Sequence, residues 1–245
     1  MKYLRFILCS TIFYVQLVAA QSPGYPSFWA RTAGKLPTLA YGLGEDRLGG
    51  AKMGYLDTSV LLKVVDTAKS MFQVQLSKNR FAYIDKQFIV VDTNALDKPL
   101  TPFPYTSNSI LAKGDSLFDY VSIRLPEKLP YQSWMDINPS KIIIEIFGVA
   151  ANTNWITQLS SLQEVKNVYY HQVDDDILRV TVELNHKQHW GYSLQYSSKG
   201  LELIVRRQPQ DLDLTKMVIA IDAGHGGTNS GADGIRTKVK EKNAT

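Results

Sequence analysis

The residue best placed to do chemistry is a histidine set among glycines, His225 in Ile221-Asp222-Ala223-Gly224-His225-Gly226-Gly227. A neutral imidazole is a common zinc ligand. The apolar run Met217-Val218-Ile219-Ala220-Ile221 leads into it and is short enough for a buried strand. His225 would then stand at a strand end, where α/β proteins commonly place active-site groups. The flanking glycines let the chain turn and keep side chains away from the ring. A dinucleotide loop is disfavoured, because Asn229 stands where G-x-G-x-x-G needs its third glycine. A plain turn carrying a surface histidine fits the spacing as well as a metal site does.

Other chemistry-bearing residues read more simply. His186 and His189 are three apart, but they follow an alternating strand and precede Trp190 in a polar turn, so they are expected at the surface. His171 has no partner in the sequence. Asp174-Asp175-Asp176 lacks the spaced ligands and glycine of a calcium loop and reads as a hairpin turn. Trp134, Trp155 and Trp190 could stack on sugars, although aromatics in β-rich chains are more often core.

The elements that must position these residues are mostly strands. Hydrophobic residues make up 44% of the 245 and charged residues 20%, an ordinary globular composition. Lys2 and Arg5 precede an apolar stretch from Phe6 to Val18, with small residues at Ala19 and Ala20, so residues 1–20 read as a secretory signal peptide. Cys9 lies inside it, and a mature chain without cysteine uses no disulfide. Removing Lys2 and Arg5 lowers the formal charge from +4 to +2, which argues against nucleic acid. No membrane span is expected after cleavage.

Residues 21–44, rich in Pro, Gly and aromatics, read as a poorly ordered lead-in. Val60 to Val65, Phe72 to Leu76, Phe81 to Ile84 and Phe88 to Val91 then give short strands, with a turn at Ser77-Lys78-Asn79-Arg80. Residues 94–114, with Pro99, Pro102 and Pro104, read as a linker. Tyr120 to Leu125, Lys141 to Phe147 and Ile177 to Leu184 are strand patterns, and Tyr192 to Tyr196 with Leu201 to Val205 form a hairpin across Ser197-Ser198-Lys199-Gly200. Asn154 to Val165 is the most helix-like stretch. Residues 208–216 form a polar linker.

Three resemblances attach to these residues. Phe72, Val74, Leu76, Arg80, Tyr83 and Ile84 lie in a pattern that resembles a bacterial SH3-like domain over 45–93, with Ala82 where that family usually has glycine. The strand patterns of 115–207 resemble the AMIN domain found ahead of cell-wall amidases, which implies a β-sandwich that holds the protein at peptidoglycan. Val218 to Gly227, Gly231-Ala232 and Glu241-Lys242-Asn243-Ala244-Thr245 resemble the start of the zinc-dependent N-acetylmuramoyl-L-alanine amidases. Ala223 stands where that family usually has proline.

The amidase resemblance implies that His225 and Glu241 bind one Zn2+ and that the amide between N-acetylmuramic acid and L-alanine is cleaved by zinc-activated water. The expected fold is therefore mainly β: a small SH3-like barrel, an AMIN-like β-sandwich, and at 217–245 the first strand and loop of a truncated α/β amidase domain. A catalytic zinc takes three protein ligands, so the remaining ligand and the general base are expected beyond Thr245 and this fragment is expected to be inactive. The alternative is a non-enzymatic peptidoglycan-binding protein. Either way the protein is expected to be exported to the periplasm or cell envelope, with peptidoglycan as its partner; the sequence identifies no regulatory protein.

Overall fold

The computed structural model describes residues 25–43, 51–93, 104–218, 220 and 230–243. The expected leader at 1–20 lies outside them. The chain divides into two compact units, residues 1–208 and 209–245. The first is built from strands throughout, as the alternating patterns require, so the mainly β expectation holds.

Its N-terminal strands are β1 (Phe28–Thr32), β2 (Thr38–Ala40), β3 (Lys52–Tyr55), β4 (Leu61–Ala68), β5 (Met71–Ser77), β6 (Arg80–Asp85) and β7 (Ile89–Val91). They form one sheet in the order β3-β2-β6-β5-β4-β1-β7. Two expectations are corrected here. The supposed lead-in supplies β1, which lies between β4 and β7, and β2; Trp29, Ala30 and Leu39 are buried. Strands of five and three residues are too short to display a period, and their turn-rich flanks hide them. The small barrel is not closed: among the described residues no pairing joins β3 to β7.

The remaining strands are β8 (Tyr105–Ser107), β9 (Ile110–Gly114), β10 (Phe118–Arg124), β11 (Tyr131–Ile137), β12 (Ser140–Phe147), β13 (Val149–Ala151), β14 (Thr157–Gln158), β15 (Val165–Asp174), β16 (Ile177–Leu184), β17 (Tyr192–Ser197) and β18 (Gly200–Arg206). They give a five-stranded sheet, β14-β9-β10-β18-β17, a four-stranded sheet, β11-β12-β16-β15, and the pair β13-β8. The expected linker at 94–114 thus contains β8 and β9. Its prolines mark its start, while Ile110 and Ala112 alternate with less buried neighbours as a strand does. The helix-like stretch at 154–165 forms bends, β14 and the start of β15 rather than a helix. A helix there would leave β9 without its edge partner β14.

Ile142, Ile144 and Ile146 of β12 and Val121 and Ile123 of β10 share one hydrophobic core with Val64, Val74 and Ile84 of the N-terminal sheet. Polar contacts cross the same joint. Leu61 N donates to Lys128 O at 2.8 Å, Lys78 N to Asp176 Oδ2 at 2.7 Å, and Tyr196 N to Asp57 Oδ2 at 2.8 Å. The two β regions are therefore one packed unit rather than separate beads. Among the described residues, no helix is long and apolar enough to cross a membrane.

Candidate functional site

The second unit carries the candidate metal ligands. Met217, Val218 and Ala220 are in no strand, and Val218 is fully exposed, contrary to the buried strand expected at 217–221. A buried strand needs neighbours, and among the described residues none pairs with it. His225 lies outside the described residues. Glu241 opens a short 3-10 turn, Glu241–Asn243, held by an isolated bridge between Asp233 and Lys240. Its backbone N donates to Ala232 O at 2.9 Å, and its Oε2 accepts from Ala232 N at 3.0 Å. Two of the quoted motif pieces, Ala232 and Glu241, are thus brought together. Imidazole and carboxylate are donor types that zinc takes, so His225 and Glu241 fit by kind. Among the described residues there is no group of three potential metal-ligating side chains.

The first unit presents a second candidate, the outer face of the sheet β11-β12-β16-β15. Strand alternation sends Ile142, Ile144, Val180 and Val182 to the core, so the odd-numbered neighbours in β12 and β16 face outward. The register then aligns Trp134, Ile143, Thr181 and Tyr169 across the four strands. A second row aligns Gln132, Glu145, Arg179 and His171, and Lys141 sits opposite Glu183.

These rows are tied together. The Arg179 guanidinium lies 5.7 Å from the Trp134 ring centre, and its Nε donates to Glu145 Oε1 at 2.9 Å while Nη2 meets the same oxygen. Glu145 Oε2 accepts from Gln132 Nε2 at 2.6 Å. Lys141 Nζ donates to the Tyr169 hydroxyl at 3.0 Å and lies 3.3 Å from Glu183 Oε1. The hydroxyl contact first, then Glu183, holds the lysine above its ordinary pKa. His171 stands edge-on to Tyr169 at 5.5 Å. The result is a face with one aromatic on each edge strand, Trp134 beside Arg179 and Tyr169 beside Lys141, while Ile143, Glu145 and Thr181 between them are buried; an aromatic ring next to a hydrogen-bonding cation is a pairing that suits a sugar.

The tryptophans are corrected accordingly. Trp134 is half-buried on this outer face, and Trp155 is 78% exposed between β13 and β14; the fully buried tryptophan is Trp29, in β1. The histidine and aspartate readings fare better. His186 Nδ1 meets the buried Glu164 Oε2 at 2.7 Å, whereas His189 Nε2 meets Ser140 Oγ at 3.0 Å and Asp136 O at 3.1 Å, so the two rings serve different partners. Asp175 and Asp176 form the turn between β15 and β16.

Comparison with known proteins adds one match. Residues 112–214 match the AMIN domain, a domain typical of periplasmic peptidoglycan amidases. The matched span runs from within β9 through β18 to the polar segment beyond, and so contains the whole outer face described above. It stops short of residues 217–245. No curated protein matches the chain.

Proposed function

We propose that this chain is the wall-directed part of a peptidoglycan amidase of the cell envelope, in which the β8–β18 region binds peptidoglycan and residues 217–245 contribute zinc ligands. The observation that carries the reading is the AMIN match over 112–214, and the half-buried Trp134 beside Arg179 lies inside that span.

On this reading Trp134 and Tyr169 stack on sugar faces, while Arg179, fixed by the buried Glu145, offers a guanidinium that needs little further ordering on binding. A zinc ion held by His225 and Glu241 would supply Lewis acidity toward the amide carbonyl between N-acetylmuramic acid and L-alanine. His225 would offer a neutral imidazole nitrogen. Glu241 would offer a carboxylate whose backbone is anchored through Ala232.

Two measurements test the two halves. Cosedimentation with purified peptidoglycan tests the binding role, and a chain that stays in the supernatant removes it. Equilibrium dialysis against zinc tests the ligands: His225→Ala and Glu241→Ala should each weaken retention, and unchanged retention in both removes them from the site. Peptidoglycan binding together with zinc-independent behaviour would favour the non-enzymatic alternative.

A further inference from the structure

A cleft of about 680 Å³ opens on the outer side of the other sheet, at the end where β9 and β10 meet the β17–β18 turn. Its size lies in the range of small-ligand sites. Arg124 and Lys199 stand at it, both exposed, and none of the cleft's lining residues is acidic. Neither cation makes an ion pair with a described residue. Asn108, Ser109 and Ser122 add amide and hydroxyl groups, and Leu111 gives an apolar floor. One acid lies alongside: Glu202 accepts from Ser122 Oγ at 3.1 Å and is thereby already engaged.

The fold brings both cations to the same cleft. Arg124 pairs across the ladder with Gly200, the residue after Lys199. Gly200 has φ +133°, and a Cβ there would lie 2.2 Å from Ile123 O and 2.6 Å from Leu125 N. Only glycine lets the turn sit this tightly on β10, which places the Lys199 backbone next to the Arg124–Gly200 pair. Two like charges on one cleft repel each other, and an anion between them relieves that repulsion while gaining charge-assisted hydrogen bonds.

We propose that this cleft binds a free carboxylate of a muropeptide, with Arg124 and Lys199 on the carboxylate and Asn108 and Ser109 on neighbouring amide or hydroxyl groups. It would act as a second contact, separate from the Trp134 face, that reads the peptide rather than the glycan. The proposal rests on the reading that the chain meets peptidoglycan.

The test is an NMR titration of the chain with N-acetylmuramyl-L-alanyl-D-isoglutamine and with the analogue whose carboxyl group is an amide. The acid should shift the amides of Ser109 and Lys199, and the neutral analogue should bind at least about tenfold more weakly. Arg124→Gln and Lys199→Gln, both at exposed positions, should each weaken the acid similarly, and Lys35→Gln, an exposed lysine that lines neither surface, should leave the titration unchanged. Equal binding of acid and amide, no shift at all, or full binding by Arg124→Gln overturns the cleft. Cosedimentation with whole peptidoglycan is measured in parallel. Its loss with the titration intact would overturn the wall-binding reading but not the cleft, and its retention with a silent titration would do the reverse.

Discussion

Asp119 and Arg207 form a buried ion pair that ties the last residues of the first unit to β10, the central strand of the five-stranded sheet. Arg207 Nε donates to Asp119 Oδ1 at 2.8 Å, and Nη2 lies 2.7 Å from the same oxygen, with side-chain exposures of 8% and 0%. Asp119 Oδ2 accepts from the backbone N of Gln163, Glu164 and Val165 at 3.0, 2.7 and 2.7 Å, and Arg207 Nη2 also donates to Ser161 O at 2.7 Å. One carboxylate thus organises the entry into β15, and one guanidinium closes the chain over it. Replacing Arg207 by Met leaves that carboxylate buried without its cation. The expected loss is about 3–5 kcal/mol in urea unfolding, and a loss below about 1 kcal/mol would mean that the backbone donors alone satisfy Asp119.

Gly114 makes room for this pair. A Cβ at that position would lie 2.0 Å from Arg207 Nη2, 2.4 Å from Ser161 O and 2.6 Å from Asp119 Oδ1. The Ser161 carbonyl is backbone and cannot swing aside. Gly114→Ala should therefore cost about 1–3 kcal/mol. Because it acts through the same pair, its effect combined with Arg207→Met should fall short of the sum of the two single losses. Full additivity in denaturant unfolding would place the two residues in separate roles.

Arg31 joins the N-terminal sheet to the segment between β10 and β11. Its Nε donates to Asp92 Oδ2 at 2.7 Å, while Nη1 and Nη2 reach Glu127 Oε1 at 3.0 Å and Oε2 at 2.9 Å in a two-point pairing. With the shared core beneath it, the unit should unfold in one transition. A double-mutant cycle with Arg31→Met and Glu127→Gln should give a coupling of about 0.5–3 kcal/mol. Two resolved transitions, or no coupling, would make the halves independent.

Asp115 supplies a pH signature. The Tyr120 hydroxyl, followed by the backbone N of Leu117 and Phe118, holds its carboxyl down at about 2, below the usual aspartate range. The folded pKa is depressed, so the contribution to stability is present above the unfolded value and is lost as the pH falls toward 2. A carboxyl-carbon NMR titration should show this low midpoint, and Tyr120→Phe should raise it toward the ordinary aspartate range. An unchanged midpoint in the variant would remove Tyr120 as the main cause.

The sequence announced the strands that have a buried face of their own. Ile177 to Leu184 alternates and is β16, and Tyr192 to Tyr196 with Leu201 to Val205 is the β17–β18 hairpin. It did not announce β11, where Tyr131-Gln132-Ser133-Trp134-Met135-Asp136 shows no alternation, because that strand's faces are set by its partner β12. Trp134 was misjudged for the same reason: composition favours a buried tryptophan, and only the register opposite Ile143 turns it outward. The Arg124–Lys199 cleft was also hidden, since the two cations lie on different strands and meet only through the Gly200 pairing. His225 stands out in the sequence by its glycine-rich setting, and it lies outside the described residues.

The proposed contact with peptidoglycan rests on the Trp134 face. The most direct measurement is a cosedimentation isotherm on purified peptidoglycan for the wild-type chain and for Trp134→Ala, with unchanged thermal unfolding of the variant as the control for folding. Loss of an aromatic anchor should weaken binding at least about tenfold. Identical isotherms, or a wild-type chain that does not sediment, would contradict it.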